Sequence, residues 1–208
     1  MALLMRSLKS GCMYIMETKN QKQKTKNSVQ LNAGQLRTIA GAEAESIEIP
    51  RKPMYLVAEN VYDTYNIGGL FRLADALAVT ELILCGEMEI PPNPRIAKAS
   101  IGTYKIVPWK YFDTAALAIE YLRHQHENIQ IVAVEQSENS RDYRTITYHV
   151  PVALMVGNET FGVLPETLAL CDEVAELPMW GVNKSLNVIV SAAIAAYHAT
   201  AQIDLAHP

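Results

Sequence analysis

The sequence predicts an α/β fold: a mainly parallel sheet with helices on both faces. Three observations predict it. Short β-rich runs alternate with helical stretches between residues 54 and 203. The β-rich runs are nearly continuous in apolar character, as expected of strands covered on both faces. Three loops rich in Gly, Asn, Glu and Ser each follow a strand, where open α/β sheets bind ligands.

Strands are expected at 54–58 (MYLVA), 81–85 (ELILC), 104–107 (YKIV), 129–134 (IQIVAV), 152–156 (VALMV) and 174–177 (VAEL). Helices are expected at 67–78, 113–126, 164–171 and 185–203. Within the last of these, VIVSAAIAAYHATA (188–201) is small and apolar almost all round. Such a helix is buried on most faces, either as a core plug or as a subunit interface. Toward the N-terminus, ETKNQKQKTKNS (17–28) has almost nothing to bury against the entropy of ordering. Residues 29–48 carry Leu31, Leu36 and Ile39, enough for one or two helical turns, with Gly34 and Gly41 weakening them. Pro53 disfavours helix at Lys52 and marks a boundary. The expected organisation is a basic, partly disordered extension over residues 1–50 and one folded domain over residues 51–208.

Composition agrees with a globular chain of 208 residues, 50% hydrophobic and 19% charged. No run of about 18 apolar residues exists, so no membrane span is expected. The start, MALLMRSLKSGCMYIM, lacks the sustained apolar segment of a signal peptide. The cysteines, Cys12, Cys85 and Cys171, are odd in number and far apart, which argues against a disulfide framework or a zinc site. The five histidines form no ligand spacing, and no metal is expected. A reducing, cytoplasmic location fits best. The net charge of −4 hides an asymmetry: residues 1–53 hold nine Lys/Arg against four Glu, and the rest hold 9 basic against 18 acidic residues. A basic arm of this kind suits a nucleic-acid partner, and the alternative is a solvated leader.

No phosphate-binding P-loop, dinucleotide fingerprint, zinc-protease motif or nucleophile elbow is present. The chemistry therefore rests on the three loops. In NVYDTYNIGGLFR (60–72), Asn66 reads as a helix cap, and Gly68 and Gly69 fall in the first turn, where something must approach the backbone. Arg72, one turn on, can clamp a phosphate with its planar fork, or pair with Asp75. In GNETFG (157–162), two glycines bracket Asn158 and Glu159 in a sharp turn, which is either a ligand loop or a simple Asx turn. In LPMWGVNKSLN (177–187), Asn183 or Ser185 reads as the cap of the last helix.

Together, in this order, the three loops resemble the SpoU (TrmH) family of RNA ribose methyltransferases of the SPOUT superfamily. The likeness covers about residues 54–200, through NVYDTYNIGGLFRLADAL (60–77), VGNETFG (156–162) and LPMWGVNKSLNV (177–188). PPNPRIAKASIG (91–102) with WKYF (109–112) is similar to a bacterial subgroup. The resemblance implies transfer of a methyl group from S-adenosylmethionine to a ribose 2′-hydroxyl of tRNA or ribosomal RNA. It also implies a homodimer and a deep C-terminal trefoil knot over about 152–203. By matching position, Asn66, Arg72, Glu159, Ser185 and Asn187 fall on the family's catalytic set. The cofactor positions are Val134, Glu135, Gly157, Asn158, Gly162, Leu177, Met179, Ser185 and Leu186. The RNA positions are Asn60 and Arg72, joined by Lys19, Lys22, Lys24 and Lys26 of the arm. Ala78, Leu177 and Ile189 depart from the common pattern in packing only. A SPOUT enzyme acting on a base nitrogen, and a catalytically idle RNA-binding dimer, are the competing readings.

Overall fold

The computed structural model describes residues 30–206; the lysine-rich arm at 19–26 lies outside them. Seven strands form one sheet in the order β3-β2-β1-β6-β4-β7-β5, with every pairing parallel. They are β1 (Lys52–Glu59), β2 (Val79–Cys85), β3 (Trp109–Phe112), β4 (Gln130–Val134), β5 (Arg141–Asp142), β6 (Val152–Val156) and β7 (Glu173–Glu176). The helices are α1 (Ala33–Thr38), α2 (Gly41–Glu45), α3 (Thr64–Ala76), α4 (Pro94–Ser100), α5 (Ala115–Gln125), α6 (Pro165–Leu168) and α7 (Val188–Ala206).

Alternate residues of the central strands feed two cores. Met54, Leu56 and Ala58 of β1 meet α3, α4 and α7 on one face. Tyr55 and Val57 meet α5 on the other, with Ala118 and Leu122 fully covered. Burial on both faces explains why β1, β2, β4 and β6 read as unbroken apolar runs. The chain runs outward from β1 to β3, then returns to the other side, where β6 inserts between β1 and β4. The carboxyl ends of β1, β6 and β4 therefore surround a topological switch point, the usual ligand crevice of such sheets.

Several boundaries differ from expectation. Residues 104–107 are not a strand. Thr103–Lys105 is a 3-10 turn, and Ile106 N–H closes onto the Thr103 carbonyl at 2.9 Å. Tyr104 is thereby placed edge-on against Phe71, 6.4 Å between ring centroids. The strand comes later, as β3 on the sheet edge, and its half-exposed WKYF lacks a buried run's signature. Helix α4 was not anticipated, although Asn93 followed by Pro94 is a helix-start signal: Asn93 Oδ1 accepts from Arg95 N–H at 2.8 Å. Strand β5, two residues long, also went unanticipated. Helix α3 starts earlier than expected, because Asp63 rather than Asn66 is its cap, accepting from Tyr65 N–H at 2.8 Å. Helix α7 begins at Val188 rather than 185. The extension contributes α1 and α2, and Leu36, Ile39 and Ala44 are buried. Asn32 and Gln35 close a reciprocal capping box at the start of α1.

Candidate active site

The approach expected at Gly68 and Gly69 exists, but it is protein packing. A Cβ on Gly68 would sit 2.8 Å from Ser100 N of α4, and one on Gly69 would strike the Ile189 side chain of α7. These glycines lock α3 between α4 and α7, fixing the side chains that α3 presents.

The three loops converge. Glu159, from the loop after β6, sends its carboxylate to the start of α3. Its Oε1 accepts from the Asn66 amide at 2.9 Å and from Asp63 N–H at 3.2 Å; its Oε2 accepts from Tyr62 N–H at 3.2 Å. An ionised carboxylate only accepts, so the Asn66 NH₂ must face it. Asn66 Oδ1 is thereby turned to accept from Asn187 Nδ2 at 3.0 Å, and Asn187 Oδ1 caps α7 through Ile189 N–H at 2.9 Å. One relay thus joins all three loops and fixes both amides. Burial works against the charge on Glu159, but the Asn66 amide and the N–H groups of Glu159, Tyr62 and Asp63 outweigh it. Its pKa lies below the usual carboxylate range. The positive end of the 13-residue α3 adds to the same effect.

Beneath the relay lies a cavity of about 450 Å³. Every expected cofactor residue lines it: Val134 and Glu135, Gly157, Asn158 and Gly162, Leu177 and Met179, Ser185 and Leu186. Glu159 and Asn187 line it too, whereas Asn66 reaches it through them. Ser185, expected as a helix cap, precedes α7, and its own N–H is held by Asn183 at 3.2 Å. Gln136 was missed by sequence reading. It lies two residues past the end of β4 and donates to the Lys184 carbonyl at 2.7 Å, tying the third loop to the end of that strand. Its place just beyond a strand's carboxyl end was the available signal. Glu135 grips the second loop by accepting from Val163 N–H at 3.0 Å.

Asn60 is committed inward. Its Oδ1 accepts from Glu87 N–H at 2.8 Å, and its carbonyl accepts from Asn158 Nδ2 at 2.8 Å. Arg72 stands apart from the relay, about 9 Å farther along α3 than Asn66 at ~1.5 Å per residue. It is exposed, and among the described residues no carboxylate pairs with it. Asp75, the alternative partner, is raised by burial and partly offset by Arg51, the cation beside it.

The floor of the cavity cannot accept a larger residue at position 157. A Cβ there would fall onto the backbone of Gly162 and Val163, which has no side-chain end to yield. Gly157→Ala is expected to break the Asn158–Gly162 bridge, whose two bonds are 3.0 and 2.9 Å. Calorimetry should then show loss of cofactor binding by about 100-fold or more, since overpacking of this kind costs ~1–3 kcal/mol or above. Retained affinity would place the binding loop elsewhere.

The chain is similar to known proteins. Residues 53–197 match the SpoU rRNA Methylase family. A tRNA (guanosine(18)-2′-O)-methyltransferase of Escherichia coli K12 is 34% identical over 147 residues, covering 69% of this chain and 61% of that protein. The chain therefore spans about three fifths of that relative's length. The Aquifex aeolicus TrmH/SpoU tRNA modifying enzyme superposes with a TM-score of 0.66 at 29% identity, covering 84% of this chain and 83% of that one. The AdoMet-bound rRNA methyltransferase of Sinorhizobium meliloti gives 0.66 at 28% identity, covering 77% and 60%. With the family match running through all three converging loops, the chain belongs to the SpoU rRNA Methylase family.

Proposed function

We propose that this chain transfers a methyl group from S-adenosylmethionine to a ribose 2′-hydroxyl of tRNA or ribosomal RNA. The observation that carries the reading is the Glu159–Asn66–Asn187 relay closed over the cavity. The cavity suits the donor. Its volume falls within the range of small-ligand sites, ~300–1,000 Å³. Val134, Val156, Leu177 and Leu186 offer an apolar berth, and the loop backbones offer hydrogen bonds. When bound, the sulfonium supplies an electrophilic methyl carbon.

The protein's own work is alignment and charge. Asn187, which lines the cavity, keeps one amide N–H beyond the relay to orient a sugar; Asn66, buried behind it, fixes that amide, and Ser185 also lines the cavity. Holding two reactants in line supplies about 7–11 kcal/mol in favourable cases. A guanidinium is a poor proton acceptor. Arg72 acts instead by clamping the phosphate beside the target ribose and stabilising the forming alkoxide. The proton leaves through phosphate or water.

Residues 51–208 form the catalytic unit in this reading, and the arm with Lys19, Lys22, Lys24 and Lys26 adds RNA contacts. A trefoil knot over about 152–203 belongs to this reading; Glu135 holds Val163 just after the second loop, and Gln136 holds Lys184 in the third. A homodimer is supported by Val190, Ile194 and Tyr197. They are exposed along one stripe of α7, whose opposite side is buried. Sedimentation at twice the chain mass checks that; the monomer mass counts against it. Among the described residues no helix is long and apolar enough to cross a membrane, and we place the protein in the cytoplasm.

Incubation with methyl-labelled donor and bulk tRNA or ribosomal RNA from a strain lacking the gene tests the activity. Label should appear in nuclease-resistant 2′-O-methylated dinucleotides. Label in a modified base, or none, overturns the reading.

A further inference from the structure

We infer that α1, α4 and α3 together carry an RNA-backbone tract built on Arg37, Arg95 and Lys98, leading to Arg72. The inference rests on the proposed RNA substrate and extends it to residues that the sequence reading did not single out.

Charge pairing is the first observation. Residues 30–206 hold 12 Lys/Arg against 21 Asp/Glu, so carboxylates are plentiful. Most cations use them or are otherwise engaged. Lys52 pairs with Asp204, Lys110 with Glu81, Arg123 with Asp172, Arg141 with Glu173 and Arg144 with Asp142. Arg51 donates to the carbonyls of Val79 and Ile106, and Lys105 to that of Ile39. Arg37, Arg72, Arg95, Lys98 and Lys184 have no such partner among the described residues, and all are exposed; Lys184 lies in the loop before α7, and the other four belong to helices.

Location is the second observation. Of these four residues, Arg72, Arg95 and Lys98 lie on two helices packed against each other, α3 and α4, and Arg37 lies on α1, which meets the turn just past α4. Gly68 of α3 touches Ala99 and Ser100 of α4. Gly102, just past α4, lies against the Leu36 carbonyl and the Arg37 nitrogen of α1. On α4, Arg95 and Lys98 are three apart and share a face, away from buried Ile96 and Ser100. Helices α1 and α4 contain no acidic residue; Asp75, the single carboxylate of α3, sits beside Arg51.

In a chain with this excess of acid, unmatched guanidinium and ammonium groups on neighbouring helices fit a polyanion. Fork-shaped arginines suit phosphate oxygens in particular. The tract ends at Arg72, so a strand laid along it delivers one ribose toward the relay while its neighbouring phosphates are held.

The test uses the full-length protein with bulk tRNA and, separately, bulk ribosomal RNA. Arg95→Ala/Lys98→Ala is compared with Arg123→Ala/Arg141→Ala, whose cations are paired elsewhere. The first pair should weaken RNA binding about tenfold or more and lower the slope of log K against log salt by about 1.5, at ~0.7–0.9 per lost phosphate contact. Calorimetric affinity for S-adenosylmethionine should not change. The second pair should leave RNA affinity and slope as in wild type. If wild type methylates RNA but the first pair keeps its affinity and slope, the tract is overturned and the methyltransferase reading stands. If wild type neither binds nor methylates RNA, that reading falls and the tract falls with it.

Discussion

Arg72→Ala should lower methyl transfer by about 10³-fold or more while leaving the fold and cofactor affinity unchanged. The magnitude follows from the role proposed for Arg72: loss of a charge that stabilises a forming oxyanion costs roughly 10²–10³ in rate, and loss of a phosphate contact adds to it. The selectivity follows from position. Arg72 does not line the cavity that would hold the donor, and it makes no ion pair among the described residues. Exposed on α3, its side chain can be truncated with little effect on stability. Arg72→Lys keeps the charge and loses the two-pronged fork, so it should recover only part of the rate. Single-turnover kinetics with calorimetry of S-adenosylmethionine binding separate the two effects. Near-wild-type turnover in Arg72→Ala would remove Arg72 from the site. Lost cofactor binding would mean that α3 had been disturbed.

The sequence singles out Arg72 but not Arg95 or Lys98. Arg72 belongs to a motif, NIGGLFR, that resemblance placed in a known site. The α4 cations stand out only once most other cations have found their partners, and pairing is a property of the folded chain. The relay divides in the same way. Glu159 and Asn66 are 93 residues apart, and Asn66 and Asn187 are 121 apart. No spacing rule reaches across such separations, and the resemblance alone named them together. The fold was more legible, because β1, β2, β4 and β6 are buried on both faces and carry that burial as apolar runs. It failed where burial is partial. Edge strand β3 and short helix α4 are held by neighbours: Phe71 stacks on Tyr104 and Trp109, and Gly68 receives Ala99. At Gly68 and Gly69, where something is expected to approach the backbone, the structure puts helices α4 and α7.

Glu159→Gln should lower kcat by about 100-fold, because misplacement of orienting groups by ~1 Å costs about that much. With its oxygen in the Oε1 place the glutamine keeps the Asn66 amide and Asp63 N–H but sets its NH₂ against Tyr62 N–H; turned the other way, it keeps Tyr62 N–H and sets its NH₂ against the Asn66 amide and Asp63 N–H. Asn66 can then turn over, and its grip on Asn187 goes with it. Cofactor affinity should move little, because the loop glycines and Glu135, which shape the cavity, are untouched. The carboxylate also has a pH signature. Its pKa is depressed in the folded protein, so its stabilising effect is fully present above the usual carboxylate range and is lost as pH falls through the depressed value. Wild type should therefore melt above Glu159→Gln at neutral pH, and the gap should close on acidification below the usual carboxylate range. Melting curves for both proteins across that span decide the matter. A gap that stays constant with pH would mean that Glu159 holds α3 by shape rather than by charge, and that the relay does not depend on an ionised acceptor.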